Sequence, residues 1–148
     1  MWSHAPDGYA CPFCLADLET AEHPVIVLQR YEHMVVKMQR YWRPGCAGGA
    51  VVFPIAHYEN VFDLPVELGV ELQRAIRETA FAMKLALGSD GISVRQNNEP
   101  AGGQDIWHFH VHVFPRFEGQ VLDGTEWVRA DPEEMRRLDD QLVAYWPS

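Results

Sequence analysis

The segment 107–114 is Trp-His-Phe-His-Val-His-Val-Phe, with a histidine at every second position. Because a β-strand sends successive side chains to opposite faces, this alternation predicts a strand over 106–114 with one apolar face and one face of imidazoles. His108, His110 and His112 are then spaced by about 6.6 Å along one face. The opposite face is expected to pack into the core through Trp107, Phe109, Val111 and Val113. Imidazole is a nucleophile, a proton donor or a metal ligand near neutral pH, so the row of histidines marks the candidate site.

The rest of the chain shows patterns typical of alternating strands and helices. Apolar residues three or four apart over 65–87 predict a long amphipathic helix that ends before Gly88. A second helix is predicted from Asp131, because Asp131-Pro-Glu-Glu134 combines an N-cap, a first-turn proline and a capping-box glutamate. Strands are predicted at 25–28, 34–38, 50–53 and 92–96, the first two as a hairpin, and a loop is predicted at 42–49. This order indicates the fold class α+β, with an antiparallel sheet, one long helix and a C-terminal helix.

Length and charge restrict the function classes. A chain of 148 residues with 47% hydrophobic residues is expected to form one domain with its own core. The formal net charge of -9 argues against a nucleic-acid partner, which normally selects a basic surface. The sequence has neither a secretory-type start nor an apolar run long enough to span a bilayer. The expectations are therefore a cytoplasmic location and no membrane partner.

The motif His108-Phe-His110-Val-His112-Val-Phe114 resembles the signature of the histidine-triad (HIT) family. The loop Asn97–Gln104, the dipeptide Pro115-Arg116 and the segment Phe53–Val61 are also similar to that family, so the resemblance covers about residues 11–116. It implies a HIT-like fold for a single domain of residues 1–148. Residues 1–24 would be an N-terminal segment held by zinc, and residues 117–148 a C-terminal extension with a helix. The resemblance also implies a homodimer.

The resemblance implies a reaction at the α-phosphorus of a nucleotide. His110 would attack phosphorus and form a nucleotidyl-histidine, which water would then hydrolyse to a nucleoside monophosphate. His112 would lie beside the phosphate as a donor to an oxygen or to the leaving group. Gln104 matches a position that assists catalysis and contacts phosphate or leaving group, and Asn97 a nucleotide-binding one. The N–H groups around Gly102 and Gly103 are expected to approach the anionic oxygens, since no Cβ intervenes.

Cys11, Cys14, His57 and His108 form a plausible tetrahedral zinc set, because a Cys-x-x-Cys turn presents two thiolates and two imidazoles complete the shell. Branches of the family that carry the N-terminal cysteine pair use such a site. A closed shell leaves no position for substrate, so the zinc would be structural. A redox pair or two buried thiols are the alternative interpretations. Cys46 is expected to be a free thiol.

The segment 38–49 departs from the family, since it lacks the aspartate that usually holds the ribose. Base stacking on Trp42 or phosphate contact from Arg40 or Arg43 are possible replacements. Dinucleoside polyphosphates, such as diadenosine tetraphosphate, and nucleoside phosphoramidates are the candidate substrates of a hydrolase. A zinc-stabilised nucleotide-binding module with little turnover and a nucleotidyl transferase or phosphorylase of the same superfamily are the alternatives.

Overall fold

The computed structural model describes residues 2–15 and 25–148. In the described part, five antiparallel strands form the main sheet in the order β1-β2-β4-β6-β5. A two-stranded sheet is formed by β3 and β7. The strands are β1 Val27–Arg30, β2 Met34–Met38, β3 Tyr41–Trp42, β4 Ala50–Pro54, β5 Gly91–Gln96, β6 Val111–Arg116 and β7 Val128–Arg129. The helices are α1 Gly69–Leu87 and α2 Pro132–Ala144, and the α+β class with an antiparallel sheet is confirmed.

The two faces of the main sheet have different neighbours. One face packs against both helices, and its core includes Val36, Val52, Val113, Met83 and Leu142. The other face carries a smaller apolar cluster of Val35, Val51 and Phe53, against which Phe13 and Val27 pack. Val51 of β4 lies opposite His112 of β6 in the register, so the histidines of interest belong to this second face.

The helix predictions are confirmed by the structure. A 3-10 turn, Val66–Leu68, leads into α1, and Gly88 adopts the left-handed conformation (φ 62°) just after its last residue. Asp131 caps α2, since its Oδ1 accepts the backbone N–H groups of Glu133 and Glu134 at 2.9 and 3.0 Å. Because Met135 and Leu142 of α2 lie in the main hydrophobic cluster, the C-terminal helix shares the core of the sheet.

One strand prediction and one loop prediction are wrong in their bounds. The histidine strand does not cover 106–114: β6 begins at Val111, because the Phe109 N–H donates instead to the Tyr58 carbonyl at 2.6 Å and the chain leaves the sheet there. The predicted loop at 42–49 begins with Trp42 in β3, which pairs with Val128 of β7. The remaining strands agree within two residues, and positions 1 and 16–24 of the predicted N-terminal segment lie outside the described residues. No helix in the described residues is long and apolar enough to cross a membrane.

Candidate active site and metal centre

The His110 ring is fixed by the backbone of the same motif. Its Nδ1 lies 2.7 Å from the carbonyl oxygen of His108. A carbonyl only accepts, so Nδ1 carries the ring proton and Nε2 of the neutral ring holds a lone pair. His110 is 4% exposed, yet its ring borders a cavity of about 760 Å³. An unprotonated ring nitrogen at the wall of a cavity is the requirement for a nucleophilic histidine.

His112 is the second imidazole at this cavity. Its ring centroid lies 5.0 Å from that of His110, with the planes at 83°. Burial, followed by the neighbouring His110, lowers the pKa of His112 to about 4. The ring is therefore neutral at physiological pH and offers one donor and one acceptor.

The cavity combines an apolar wall with positive charge. Phe13, Val25, Ile26, Met38 and Val51 supply apolar surface. Among the described residues, four Lys and Arg side chains line this cavity, against two acidic ones. The cations are Lys37, Arg40, Arg43 and Arg95, and the acids are Asp105 and Asp123. In a chain of net charge -9 this local excess of cations favours an anionic ligand that also has an apolar part.

Arg43 is held over the indole of Trp127, with its guanidinium carbon 4.8 Å from the ring centroid. Its Nη1 donates to Thr125 Oγ1 at 3.4 Å. Trp127 is 50% exposed, lines the cavity and lies 6.5 Å from the His112 ring. The cation–π contact and the hydroxyl therefore hold a positive charge at the cavity that the two imidazoles also line.

A second cluster includes His108, whose carbonyl oxygen contacts the His110 ring. One ligand atom from each of Cys11, Cys14, His57 and His108 lies within 4.8 Å of all the others. His108 Nδ1 is 3.3 Å from Cys11 Sγ and 3.5 Å from Cys14 Sγ, and His57 Nδ1 is 3.2 Å from Cys14 Sγ. These distances bring together all four residues that the sequence predicted as metal ligands.

The donor set of this cluster fits a soft divalent ion. His108 Nε2 lies 2.9 Å from the Pro54 carbonyl and donates to it, so the Nδ1 lone pair points at the sulfurs. Burial, followed by the adjoining Cys11 thiol, raises the pKa of Cys14 to about 11. A bound cation would favour the thiolate form of Cys14 against this shift. Two thiolates and two oriented imidazoles match the ligands of a tetrahedral zinc ion.

The HIT domain family model matches residues 20–119, which is most of the chain. The chain belongs to the HIT family. An uncharacterised HIT-like protein of Methanocaldococcus jannaschii is 30% identical over 127 residues, covering 84% of this chain and 95% of that protein. The adenosine 5'-monophosphoramidase of Saccharomyces cerevisiae is 25% identical over 137 residues, which cover 91% of this chain and 82% of that protein. A zinc-bound histidine triad family protein from Mycobacterium smegmatis has a TM-score of 0.72 and 26% identity, with 91% of this chain and 94% of that chain covered.

The residues predicted from the HIT resemblance divide into two groups. Asn97, Gly103, His110 and His112 line the cavity, and Asn97 Nδ2 donates to the Gly103 carbonyl at 3.2 Å. His108 does not line the cavity with them, because it is fully buried in the Cys/His cluster.

Gln104 and Gly102 are not among the cavity-lining residues. The Gln104 side chain is buried, and its Oε1 accepts the Glu99 N–H at 2.8 Å. Its Nε2 donates to the carbonyls of Glu59 and Ile106 at 2.6 and 2.9 Å. The amide thus holds two backbone segments together and has no donor left for a substrate. Gly102 belongs to a 3-10 turn whose bonds are internal to the loop.

Two aromatic residues that line the cavity, Trp127 and Phe13, were not predicted from the sequence, whereas Trp42 was. Trp42 lines the cavity but is 6% exposed and packs in the core, so stacking of a base on its ring stays a prediction, and Trp127 is the more exposed indole at the cavity. Phe13 lies within the cysteine pair and stacks on Phe53 at 4.4 Å, which brings it 5.4 Å from the His110 ring. The position of Phe13 between Cys11 and Cys14 could have identified it as a neighbour of the site. No local pattern marked Trp127.

Proposed function

We propose that this HIT protein hydrolyses nucleotide conjugates at the α-phosphorus through a covalent intermediate on His110. The observation that carries this proposal is the bond from His110 Nδ1 to the His108 carbonyl, which leaves the Nε2 lone pair at the cavity wall. The family membership and the phosphoramidase activity named for the yeast relative support it.

In the first step the Nε2 lone pair of His110 forms a bond to the α-phosphorus. The bond from phosphorus to the leaving oxygen or nitrogen breaks, and the leaving group takes the electron pair. His112 is the donor placed to stabilise the charge that builds up on phosphate or leaving group. Water then attacks phosphorus and passes a proton to solvent, the bond from phosphorus to His110 Nε2 breaks, and a nucleoside monophosphate is released while His110 regains its lone pair.

The substrate class that we propose is dinucleoside polyphosphates, such as diadenosine tetraphosphate, or nucleoside phosphoramidates. Asn97 and Gly103 are the predicted nucleotide contacts that border the cavity. The four cationic side chains favour the polyphosphates, because a leaving group that carries phosphates gains more from them than a neutral amine does.

We also propose that Cys11, Cys14, His57 and His108 hold a structural zinc ion. The four ligands close the coordination shell, so the ion supplies folding energy and fixes the backbone of His108. A zinc-bound member of the family with the same fold supports this assignment. Residues 2–15 have further anchors, since Ser3 Oγ donates to Glu59 at 2.5 Å and the Trp107 N–H donates to Tyr9 Oη at 3.2 Å.

We further propose a homodimer and a cytoplasmic location without nucleic-acid or membrane partners. Val66, in the 3-10 turn before α1, and Val70, in the first turn of α1, are 89% and 84% exposed, so both offer apolar surface to a partner. Strand β5 is an edge of the main sheet and exposes Val94. A second copy covering α1 and this edge would bury both.

The test is product analysis with diadenosine tetraphosphate and with an adenosine phosphoramidate, on wild type and His110→Ala. We expect release of adenosine 5'-monophosphate by wild type and a loss of about 10⁴-fold or more in kcat for the variant. A matched control is His33→Ala, which removes an exposed imidazole elsewhere. Equal turnover by His110→Ala would remove this residue from the mechanism. No turnover of either substrate would favour a binding module, and phosphate-dependent formation of a nucleoside diphosphate would favour a phosphorylase.

A further inference from the structure

Gln39 contacts the ring of His112 from the end of a neighbouring strand. It follows β2 directly and is 9% exposed. Its backbone N–H donates to the Gly49 carbonyl at 2.8 Å, which continues the pairing of β2 with β4 by one residue. Its side-chain Nε2 is hydrogen-bonded to His112 Nδ1. The amide is therefore buried against the imidazole and held by the sheet beneath it.

The space for this amide comes from Gly49. A Cβ built on Gly49 would overlap Gln39 Oε1 and would approach Phe114 Cβ to 3.3 Å. The backbone of Gly49 does not have a positive φ, so its conformation alone would permit another residue. The absence of a side chain at Gly49 thus serves to admit the Gln39 amide beside His112.

An amide nitrogen can donate a hydrogen bond and cannot accept one. His112 Nδ1 must therefore be the acceptor, and the proton of the neutral ring must be on Nε2. The ring of His110 has the reverse arrangement, because its Nδ1 donates to the His108 carbonyl. The two imidazoles at the cavity consequently have complementary capacities, a lone pair on His110 and an N–H donor on His112.

We propose that Gln39 is a positioning residue that holds His112 in the Nε2–H tautomer and so makes it the hydrogen-bond donor of the site. This inference deepens the proposed function and rests on it for the catalytic consequence alone. Without Gln39, the proton distributes between both ring nitrogens and the ring is free to rotate. A fraction of the molecules then presents a lone pair to the anionic phosphate, which repels it.

The first test is the tautomer of His112 in the wild-type protein, measured by ¹⁵N NMR of the imidazole nitrogens at pH 7. We expect Nε2 to carry the proton and Nδ1 to show the shift of a hydrogen-bonded acceptor. His112 in the Nδ1–H tautomer would overturn the proposal. This readout needs no substrate, so it decides the role of Gln39 even where the chain hydrolyses neither candidate substrate.

The second test compares Gln39→Met with Gln39→Glu. Methionine has a similar volume and no donor, so we expect mixed tautomers and a kcat lower by about 10- to 100-fold, with KM changed by less than about 3-fold. The carboxylate introduced by Gln39→Glu accepts from Nδ1 and is expected to place the proton there or to protonate the ring fully. Gln73→Met on the exposed face of α1 is the matched control. Unchanged tautomer and kcat in both Gln39 variants would overturn the proposal.

Because a buried substitution can disturb folding, Gly49→Ala supplies an independent approach. The added methyl group displaces the amide without altering Gln39 itself. We expect a similar fall in kcat, and no further fall when Gly49→Ala and Gln39→Met are combined, since both remove the same contact. Losses in kcat that multiply in the double variant would contradict the assignment.

Discussion

His110 Nδ1 donates to the carbonyl oxygen of His108 at 2.7 Å, so the first histidine of the motif fixes the ring of the second. The imidazole of His108 belongs to the Cys/His cluster, while its carbonyl belongs to the active site. Anything that holds or moves the His108 imidazole therefore also holds or moves the carbonyl that orients the His110 ring. The proposed zinc ion and the proposed nucleophile are therefore connected through the backbone of His108.

This coupling predicts that loss of the metal lowers both stability and activity. In Cys14→Ala we expect less than half an equivalent of zinc, a Tm lower by at least about 5 °C and a reduced kcat, because the His108 backbone loses its anchor. Elemental analysis, thermal unfolding and turnover measure the three effects. Cys46→Ala is the control for zinc content, since Cys46 is a buried thiol outside the cluster. A full equivalent of zinc in Cys14→Ala would contradict the four-ligand site.

Arg43 is predicted to favour substrates whose leaving group carries phosphate. Its guanidinium is held at the cavity by Trp127 and Thr125. A charge-assisted hydrogen bond contributes about 1.5–3 kcal/mol, so Arg43→Met should lower kcat/KM for diadenosine tetraphosphate by about 10-fold or more. The phosphoramidate should change little, and Arg77→Met on α1 should change neither. Equal losses on both substrates would show that Arg43 does not select the leaving group.

Local patterns in the sequence predicted most of the fold. The apolar spacing of α1, its terminal Gly88 and the cap at Asp131 are each decided within a few residues, so they could be identified without tertiary information. The four residues of the Cys/His cluster could be selected because cysteine and histidine are rare and chemically restricted, although they come from three separate segments.

The features that were not predicted from the sequence depend on contacts between residues far apart in the chain. The histidine alternation predicts a strand through Phe109, but the carbonyl of Tyr58, far away in the sequence, takes its N–H. Strand β7 has only two residues and therefore no periodicity, yet its pairing with β3 keeps Trp127 beside the cavity. Gln104 was assigned to substrate from the motif, while its buried amide bonds to backbone on both sides.

The exposed apolar residues at α1 predict a dimer that one charge can disrupt. Val70 is 84% exposed, and a carboxylate at this position would have to be desolvated in an interface. We expect wild type to have the mass of two chains in light scattering, and Val70→Glu to shift toward one chain at micromolar concentration. Val121→Glu is the control, because Val121 is 70% exposed in a different part of the chain. A monomeric wild type would contradict the homodimer.

Glu99 is predicted to store backbone strain in the loop before the histidines. Its φ of 60° and ψ of 163° form a combination that is nearly restricted to glycine, and no other non-glycine residue among those described has a positive φ. Glu99→Gly should therefore be more stable than Glu99→Ala by about 1 kcal/mol in urea unfolding. The comparison removes the Glu99 carboxylate, and with it the contact to His4 at 3.0 Å, from both variants. Equal stability of the two variants would show that the loop is not strained.

The lowered pKa of His112 predicts that its contribution to stability depends on pH. Burial, followed by the neighbouring His110, lowers the folded pKa to about 4, against about 6.5 in the unfolded chain. Between these values the unfolded state binds more protons, so the contribution is complete above about pH 6.5 and is lost as the pH falls toward 4.

We expect the free energy of unfolding of wild type, relative to His112→Asn, to fall by about 2 kcal/mol from pH 7 to pH 5. Urea titrations of both proteins at several pH values measure this difference. Both proteins contain the Cys/His cluster, so any acid-induced release of a metal ion cancels in the comparison. Parallel stability curves for the two proteins would mean that the His112 ring titrates as it does in the unfolded chain, because only a pKa that differs between the two states makes their separation depend on pH.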